Sequence, residues 1–399
     1  MELKFPEGFL WGAATSSHQV EGGNTNDWSE WERKNANRLA QIAIRKKWPD
    51  FILQNYPSPL EPQNYISGQA CNHYNRFIED FDIAKSLGHN AHRLAIEWSR
   101  IEPEEGKFDE KEIEHYREVI KSLRERGMEP FVTLWHWTLP LWVRDIGGWE
   151  NKKTIGYFAR YAGKIAQALG SEVKFWIVLN EVNVCSGLGY FKGVWPPERR
   201  SLMEYLRVNR HLAQAHIAVY DIIKKNNLAA QIGVAHNMIY FTGLGAGIKR
   251  YIYNFLFLNS IRRYQDFVGV NYYRSEKDIK ECSDTGWSID ADGFYQVLKN
   301  AGRYEKPIYV LENGIADAKD TKRGNFIKEH VGAMKKAIDE GADIRGYFYW
   351  SLLDNFEWDK GFWPRFGLVE IDYKTLERKI RPSALEYAKI CRSNKLESF

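Results

Sequence analysis

Two glutamates stand at the ends of short apolar runs, and their type and placement point to one chemistry. Glu181 follows Trp176-Ile-Val-Leu-Asn180, and Glu312 follows Ile308-Tyr-Val-Leu311. Both runs are rich in aliphatic and β-branched residues and read as strands, so each carboxylate sits where a strand should give way to a loop. The two segments lie far apart along the chain, and only a closed fold could bring them together. A facing pair of carboxylates, one protonated and one ionised, is what cleavage of a glycosidic bond requires.

The elements that must position this pair can be read along the chain. Eight strand candidates occur at Phe9–Thr15, Ala91–Trp98, Pro130–Trp135, Phe175–Asn180, Ile232–His236, Phe267–Tyr272, Ile308–Leu311 and Gly346–Leu352. Most are continuously apolar, as expected of parallel strands buried on both faces. Helical patterns lie between them at Tyr74–Leu87, Glu110–Arg126, Thr154–Leu169, Leu202–Lys225, Phe326–Glu340 and Ser383–Ser393. Asp109 is a natural cap for the second, and Gly127, Gly170 and Gly341 stop three of them. This alternation predicts an α/β fold, a (β/α)8 TIM barrel forming one domain over residues 1–399. Active sites of such barrels lie at the carboxyl ends of the strands, where Glu181 would end strand 4 and Glu312 strand 7. The connection between strands 5 and 6 reads as shortened, with a single helix pattern at Ile248–Arg262. Its apolar residues leave the 239–265 sector thinly covered, mobile, or a contact for a second subunit or an apolar ligand. The long stretch from Asn24 to Asn72 reads as a rim of the site or as a plain insertion.

In chain order, Phe9-Leu-Trp-Gly-Ala-Ala-Thr15 with Gln19-Val-Glu-Gly22, Arg93, Trp98-Ser-Arg-Ile101, His136-Trp137, Asn180-Glu181, Asn271-Tyr-Tyr273, Glu312-Asn-Gly314 and Trp350-Ser-Leu-Leu-Asp-Asn-Phe-Glu-Trp358 carry a resemblance over nearly the whole chain. Together they resemble glycoside hydrolase family 1, the retaining β-glycosidases. The resemblance implies Glu312 as nucleophile and Glu181 as acid/base. Arg93, beside the nucleophile, would favour its ionised form. Tyr273 would hydrogen-bond it, Asn180 would donate to the sugar 2-hydroxyl, and Asn271 completes the supporting set. Gln19, His136, Trp137, Glu357 and Trp358 match positions that contact glycone hydroxyls, and Trp350 matches the ring beneath the sugar. A carboxylate at Glu357 would repel phosphate, which implies unphosphorylated sugars.

The implied substrates are β-linked glycosides or oligosaccharides, with terminal β-D-glucosides foremost and β-galactosides or β-fucosides beside them. A transglycosylase using the same intermediate and a catalytically idle carbohydrate-binding barrel stand as alternatives. Two positions depart from the family pattern, which usually has Pro after the first glutamate and Thr before the second. Here Val182 and Leu311 stand there.

Composition excludes other classes. The formal charge of +4 over 399 residues has no long basic run, so no nucleic-acid partner is expected. No segment approaches the ~20 apolar residues of a membrane span, and no membrane partner is expected. The N-terminus lacks a signal-peptide pattern. Cys71, Cys185, Cys282 and Cys391 are widely spaced without C-x-x-C, which fits reduced thiols in a cytoplasmic protein and neither a disulfide scaffold nor a zinc ribbon. No H-E-x-x-H or His/Cys cluster calls for a metal, and no cofactor is expected; Gly243-Leu-Gly-Ala-Gly247 lacks the remaining marks of a phosphate loop. Aromatic residues reach 15%, with fifteen Trp. Several stand at strand ends, where rings suit the apolar faces of sugars.

Overall fold

All eight apolar runs form parallel strands, and the strands close on themselves. The computed structural model describes residues 2–397. The barrel strands are β1 (Leu10–Ala14), β2 (Ala91–Ala95), β3 (Glu129–Thr133), β4 (Phe175–Asn180), β5 (Gln231–Asn237), β6 (Val268–Tyr272), β7 (Ile308–Asn313) and β8 (Ile344–Trp350). Each pairs with its sequence neighbours, and β8 returns to β1. Every residue of β2, β4, β6 and β7 is buried, which explains why their patterns do not alternate, with polar residues such as Arg93 and Glu312 reserved for the site.

The barrel interior is filled rather than hollow. Phe131, Phe175, Phe267, Tyr309 and Phe348 share one cluster there, and the Phe131 and Phe175 rings stack 4.1 Å apart. Leu311 belongs to this cluster and points away from the pocket above. Its neighbour must be glycine, because a Cβ on Gly269 would fall 2.3 Å from the Leu311 side chain.

The outer layer is α1 (His73–Ser86), α2 (Glu110–Glu125), α3 (Lys153–Leu169), α4 (Leu202–Asn226), a broken α5, α6 (Ala291–Ala301), α7 (Arg323–Asp339) and α8 (Pro382–Ser393). Asp109 caps α2 through the Lys111 and Glu112 amides, as its sequence position predicts. Helix α5 consists of Ala246–Arg250, a π-helical turn Tyr251–Phe255, and Leu256–Ser260. Only its second half is well buried, through Phe255, Phe257 and Leu258. The connection between β5 and β6 is thus short, but it keeps one helix. Helix α6 was not anticipated in sequence.

The 24–72 stretch contains the helix Asp27–Ile44, closed at its start by a capping box between Asn26 and Ser29. None of its residues lines the pocket. It buttresses the site instead, since the Trp28 ring packs 4.6 Å from that of Trp358. Among the described residues, no helix is long and apolar enough to cross a membrane.

Candidate active site

All eight strands deliver a polar or aromatic side chain to one end of the barrel. The short helix after β1 carries Gln19, β2 carries Arg93, the turn after β3 carries His136 and Trp137, and β4 leads into Glu181. Asn237 ends β5, Tyr273 follows β6, Glu312 lies near the end of β7, and Trp350 ends β8. Gln19, His136, Trp137, Glu181, Tyr273, Glu312, Trp350, Glu357 and Trp358 line a single cavity. Arg93, Asn180 and Asn271 lie just behind its wall, fully buried.

The two glutamates meet different surroundings. The Glu312 carboxylate accepts from the Arg93 guanidinium on one oxygen and from the Tyr273 hydroxyl, at 2.5 Å, on the other. Arg93 is itself fixed by Thr133 Oγ1 at 3.2 Å and Asn180 Oδ1 at 2.6 Å. A buried cation therefore faces a buried anion with its remaining donors satisfied. Tight packing holds the strand end: a Cβ on Gly314 would fall 1.8 Å from the Trp350 carbonyl oxygen.

Glu181 has no cation in hydrogen-bonding contact. Its Oε1 accepts from the Asn271 amide at 2.8 Å and the Asn237 amide at 3.0 Å. Both donors converge on one oxygen, which leaves Oε2 to carry a proton. Burial, and then the negative charge of Glu312, push its carboxyl up to about 8. One site thus holds a carboxyl among neutral amides and a second carboxylate set against a guanidinium.

Glu181 also has left-handed backbone, with φ of 42°. Trp137 and Trp358 share this conformation, so three pocket residues adopt a geometry that side chains disfavour. The Glu181 amide donates to the Ala235 carbonyl at 2.7 Å, which helps to hold the turn. Val182 then occupies the first position of a short helix, where an unpaired amide is normal and Pro is merely one option.

The pocket offers matched donors and acceptors for hydroxyls. The Asn180 amide donates toward His136 Nε2 at 3.1 Å, which leaves the imidazole proton on Nδ1. Burial, reinforced by Arg93, holds the His136 ring far below its usual range, so the ring is neutral. Its Nδ1 has no protein partner. Gln19 spends its amide on Asn355 Oδ1 at 2.9 Å and the Phe356 carbonyl at 2.8 Å, and its buried Oε1 has no partner. A free donor and a free acceptor therefore share the cavity. The Glu357 carboxyl is pushed up to about 7 by burial, an effect that Lys360 partly offsets.

Trp137 differs from expectation in detail. Its ring lines the cavity, but its indole N–H is committed to the Asn180 carbonyl at 2.9 Å. It braces the end of β4 and offers only its ring surface. Trp358 stands among aromatic neighbours: His18 stacks on it at 5.4 Å, and Trp137 packs at 4.6 Å.

Sequence reasoning missed Asn237 and Tyr253. Asn237 holds Glu181, and the Tyr253 hydroxyl donates to Asn237 Oδ1 at 3.0 Å. Asn237 is the polar residue that ends β5, the same signal that marks Glu181, but the predicted strand stops one residue earlier, at His236. Tyr253 comes from α5, and no local pattern connects it to the site.

Comparison with known proteins follows the same lines. The family described as "Glycosyl hydrolase family 1" matches residues 1–249 and 259–396, a match interrupted only within α5. Beta-glucosidase A of Thermotoga maritima is 34% identical over 99% of both chains. A beta-galactosidase of Pyrococcus woesei is 30% identical over 94% of both. The solved beta-glycosidase from Pyrococcus horikoshii superposes with a TM-score of 0.88 at 36% identity, covering 100% of this chain and 97% of that one.

Proposed function

The chain belongs to glycosyl hydrolase family 1 and is a glycoside hydrolase acting on O-glycosyl bonds, and from that premise we propose that it is a retaining β-glycosidase with Glu312 as nucleophile and Glu181 as acid/base. The observation that carries this reading is the contrast between the two carboxylates: one faces a guanidinium, the other faces neutral amides and is pushed up to about 8.

In the first step a Glu312 oxygen bonds to the anomeric carbon as the bond to the aglycone oxygen breaks. Glu181 gives its proton to that oxygen. The Glu312 charge is then gone, and with it part of what held the Glu181 proton, so Glu181 becomes a base. It takes a proton from water, the water oxygen bonds to the anomeric carbon, and the ester to Glu312 breaks. Arg93 and Tyr273 orient the nucleophile, while Asn271 and Asn237 orient the acid.

The glycone is an unphosphorylated hexose of gluco or galacto configuration. Glu357, His136 Nδ1 and Gln19 Oε1 supply partners for its hydroxyls, and Trp350 supplies a ring face. The glucosidase and galactosidase among the relatives support both configurations.

Aryl β-glycosides followed by proton NMR test the reading. The first-formed product should keep the β-configuration; an α-product would overturn the retaining scheme. Glu181→Ala should slow substrates with poor leaving groups far more than dinitrophenyl glycosides, which depart without protonation. Equal losses on both would refute the acid role.

A further inference from the structure

A face beside the pocket mouth is both apolar and cationic, and nothing in the hydrolytic scheme uses it. It is built from two segments, residues 191–210 after β4 and residues 244–252 after β5. The barrel strands end at the pocket, and the helices that follow run back from it. The first turns of α4 and α5 therefore lie at the pocket end of adjacent strands.

Within the first segment the Phe191 and Tyr205 rings pack 5.9 Å apart, α4 touches the last piece of α5, Leu256–Ser260, and beside the second segment the Tyr253 carbonyl accepts from the Asn183 amide at 3.2 Å. Lys192 and Trp195 from one side and Tyr253 from the other line the cavity itself.

Nine of the eighteen exposed large apolar side chains among the described residues fall in these segments. Met203 is 72% exposed, Leu244 103% and Ile248 70%, and Leu202 and Tyr251 are at least half exposed. Patches of this kind on a soluble protein mark a contact surface. Their charge is equally uneven. The segments hold seven Lys and Arg against Glu198 and Glu204, a net of +5 in a chain whose total is +4. Arg199 and Lys249 are met by Glu150 and Glu276 from outside the segments, so the cationic excess rests on the other basic residues. Arg200, Arg207, Arg210 and Arg250 form no ion pair among the described residues. Part of α5 also lies outside the residues that the family pattern covers.

A second copy of the same face would bring like charges together, which opposes self-association. A surface that is apolar and negatively charged satisfies both features. We infer that this face docks the enzyme on an anionic lipid surface, with Leu202, Met203, Leu244 and Ile248 entering the headgroup region and the arginines meeting lipid phosphates. The contact is peripheral and needs no membrane span. It places the pocket mouth toward the lipid, where glycosides with alkyl or lipid aglycones present their sugars. Docking requires none of the reacting groups, so it can fail or hold independently of the catalytic assignment.

Flotation of the whole chain with vesicles tests it. Phosphatidylcholine vesicles containing about a third phosphatidylglycerol should carry at least ~10-fold more protein than pure phosphatidylcholine vesicles, and added salt should reduce the difference. The combined variant Leu202→Ser, Met203→Ser, Leu244→Ser and Ile248→Ser should lose flotation yet hydrolyse a soluble aryl β-glycoside at the parent rate. Protein that stays at the bottom with both vesicle types overturns the inference, as does equal flotation of parent and variant. A dimer seen by sedimentation, dissolved by the same substitutions and indifferent to lipid, would assign the face to a second copy and overturn it too.

Discussion

In the proposed mechanism, protonation of Glu181 governs the alkaline side of catalysis. Its carboxyl is pushed up to about 8, so the acid form is present below that pH and is lost as pH rises through it. The alkaline limb of the kcat/KM profile should therefore lie near pH 8, well above the range of an ordinary glutamate. The Asn237 amide favours the charged form of this group. Asn237→Ala removes that donor, so the limb should move further upward while kcat falls through looser orientation. A downward shift in the measured profile would contradict this account. At this scale the sequence was most legible where chemistry and local pattern coincide, as with a glutamate at the end of an apolar run. Of the two departures from the family pattern, Val182 begins a helix and Leu311 packs inside the barrel. Asn237, Tyr253 and the unpartnered atoms of Gln19 and His136 owe their roles to contacts between distant strands, which no single stretch of sequence displays.

The loop after β8 carries Glu357 and Trp358, and its shape depends on a buried ion cluster rather than on regular structure. Asp354 accepts from Arg381 through both oxygens, at 2.9 and 3.0 Å, and from the Gly367 amide at 2.8 Å. Burial alone would raise the Asp354 carboxyl, but Arg381 and Arg365 outweigh it and hold the group below its ordinary range. Arg381→Met leaves a buried carboxylate short of its main partner and should cost about 3–5 kcal/mol. Because that carboxylate anchors the loop, KM for the glycone should rise as well. Unchanged thermal stability with unchanged KM would rule out the anchoring role. Helices were legible where caps and spacing agreed, as in α2. Helix α6 has such a signal, with Asp290 capping Gly293 and Phe294, Val297, Leu298 and Ala301 on one face. It was masked by the polar segment before it. The helix Asp27–Ile44 buries Ala36, Ala40 and Ala43 through small side chains, which give a weak apolar pattern.

For the molecule as a whole, the same burial that tunes the site couples stability to pH. Asp27 and Glu357 are pushed up to about 7 and Glu181 to about 8, each by burial first. In the unfolded chain these groups lose their protons near 3.8 and 4.5. Between those values and about 7 or 8 the folded state holds protons on these three groups that the unfolded state has released, so their contribution to stability falls as pH rises through this window. Each group contributes a slope of about 1.4 kcal/mol per pH unit while it remains protonated only in the fold. Asp80 and Asp354 act in the opposite sense. Burial would raise both, but His73 and Arg378 hold Asp80 down and Arg381 and Arg365 hold Asp354 down. Their stabilisation is complete above the unfolded value of 3.8 and is lost as pH falls below it. Burial also holds His89, His92, His115, His136, His216, His236 and His330 below the ordinary histidine value of 6.5, so below that pH the unfolded chain takes up protons that the fold excludes and stability falls on the acid side. The barrel should therefore be most stable near neutral pH and should lose thermal stability from about pH 7 to about pH 8. Glu181→Gln, which keeps the shape of the side chain and cannot ionise, should flatten part of that decline while abolishing the alkaline limb of activity. Calorimetric scans of parent and variant across this range would decide it. Parallel curves would mean that Glu181 does not carry a proton in the folded enzyme, and the assignment of the acid would fall with the stability argument.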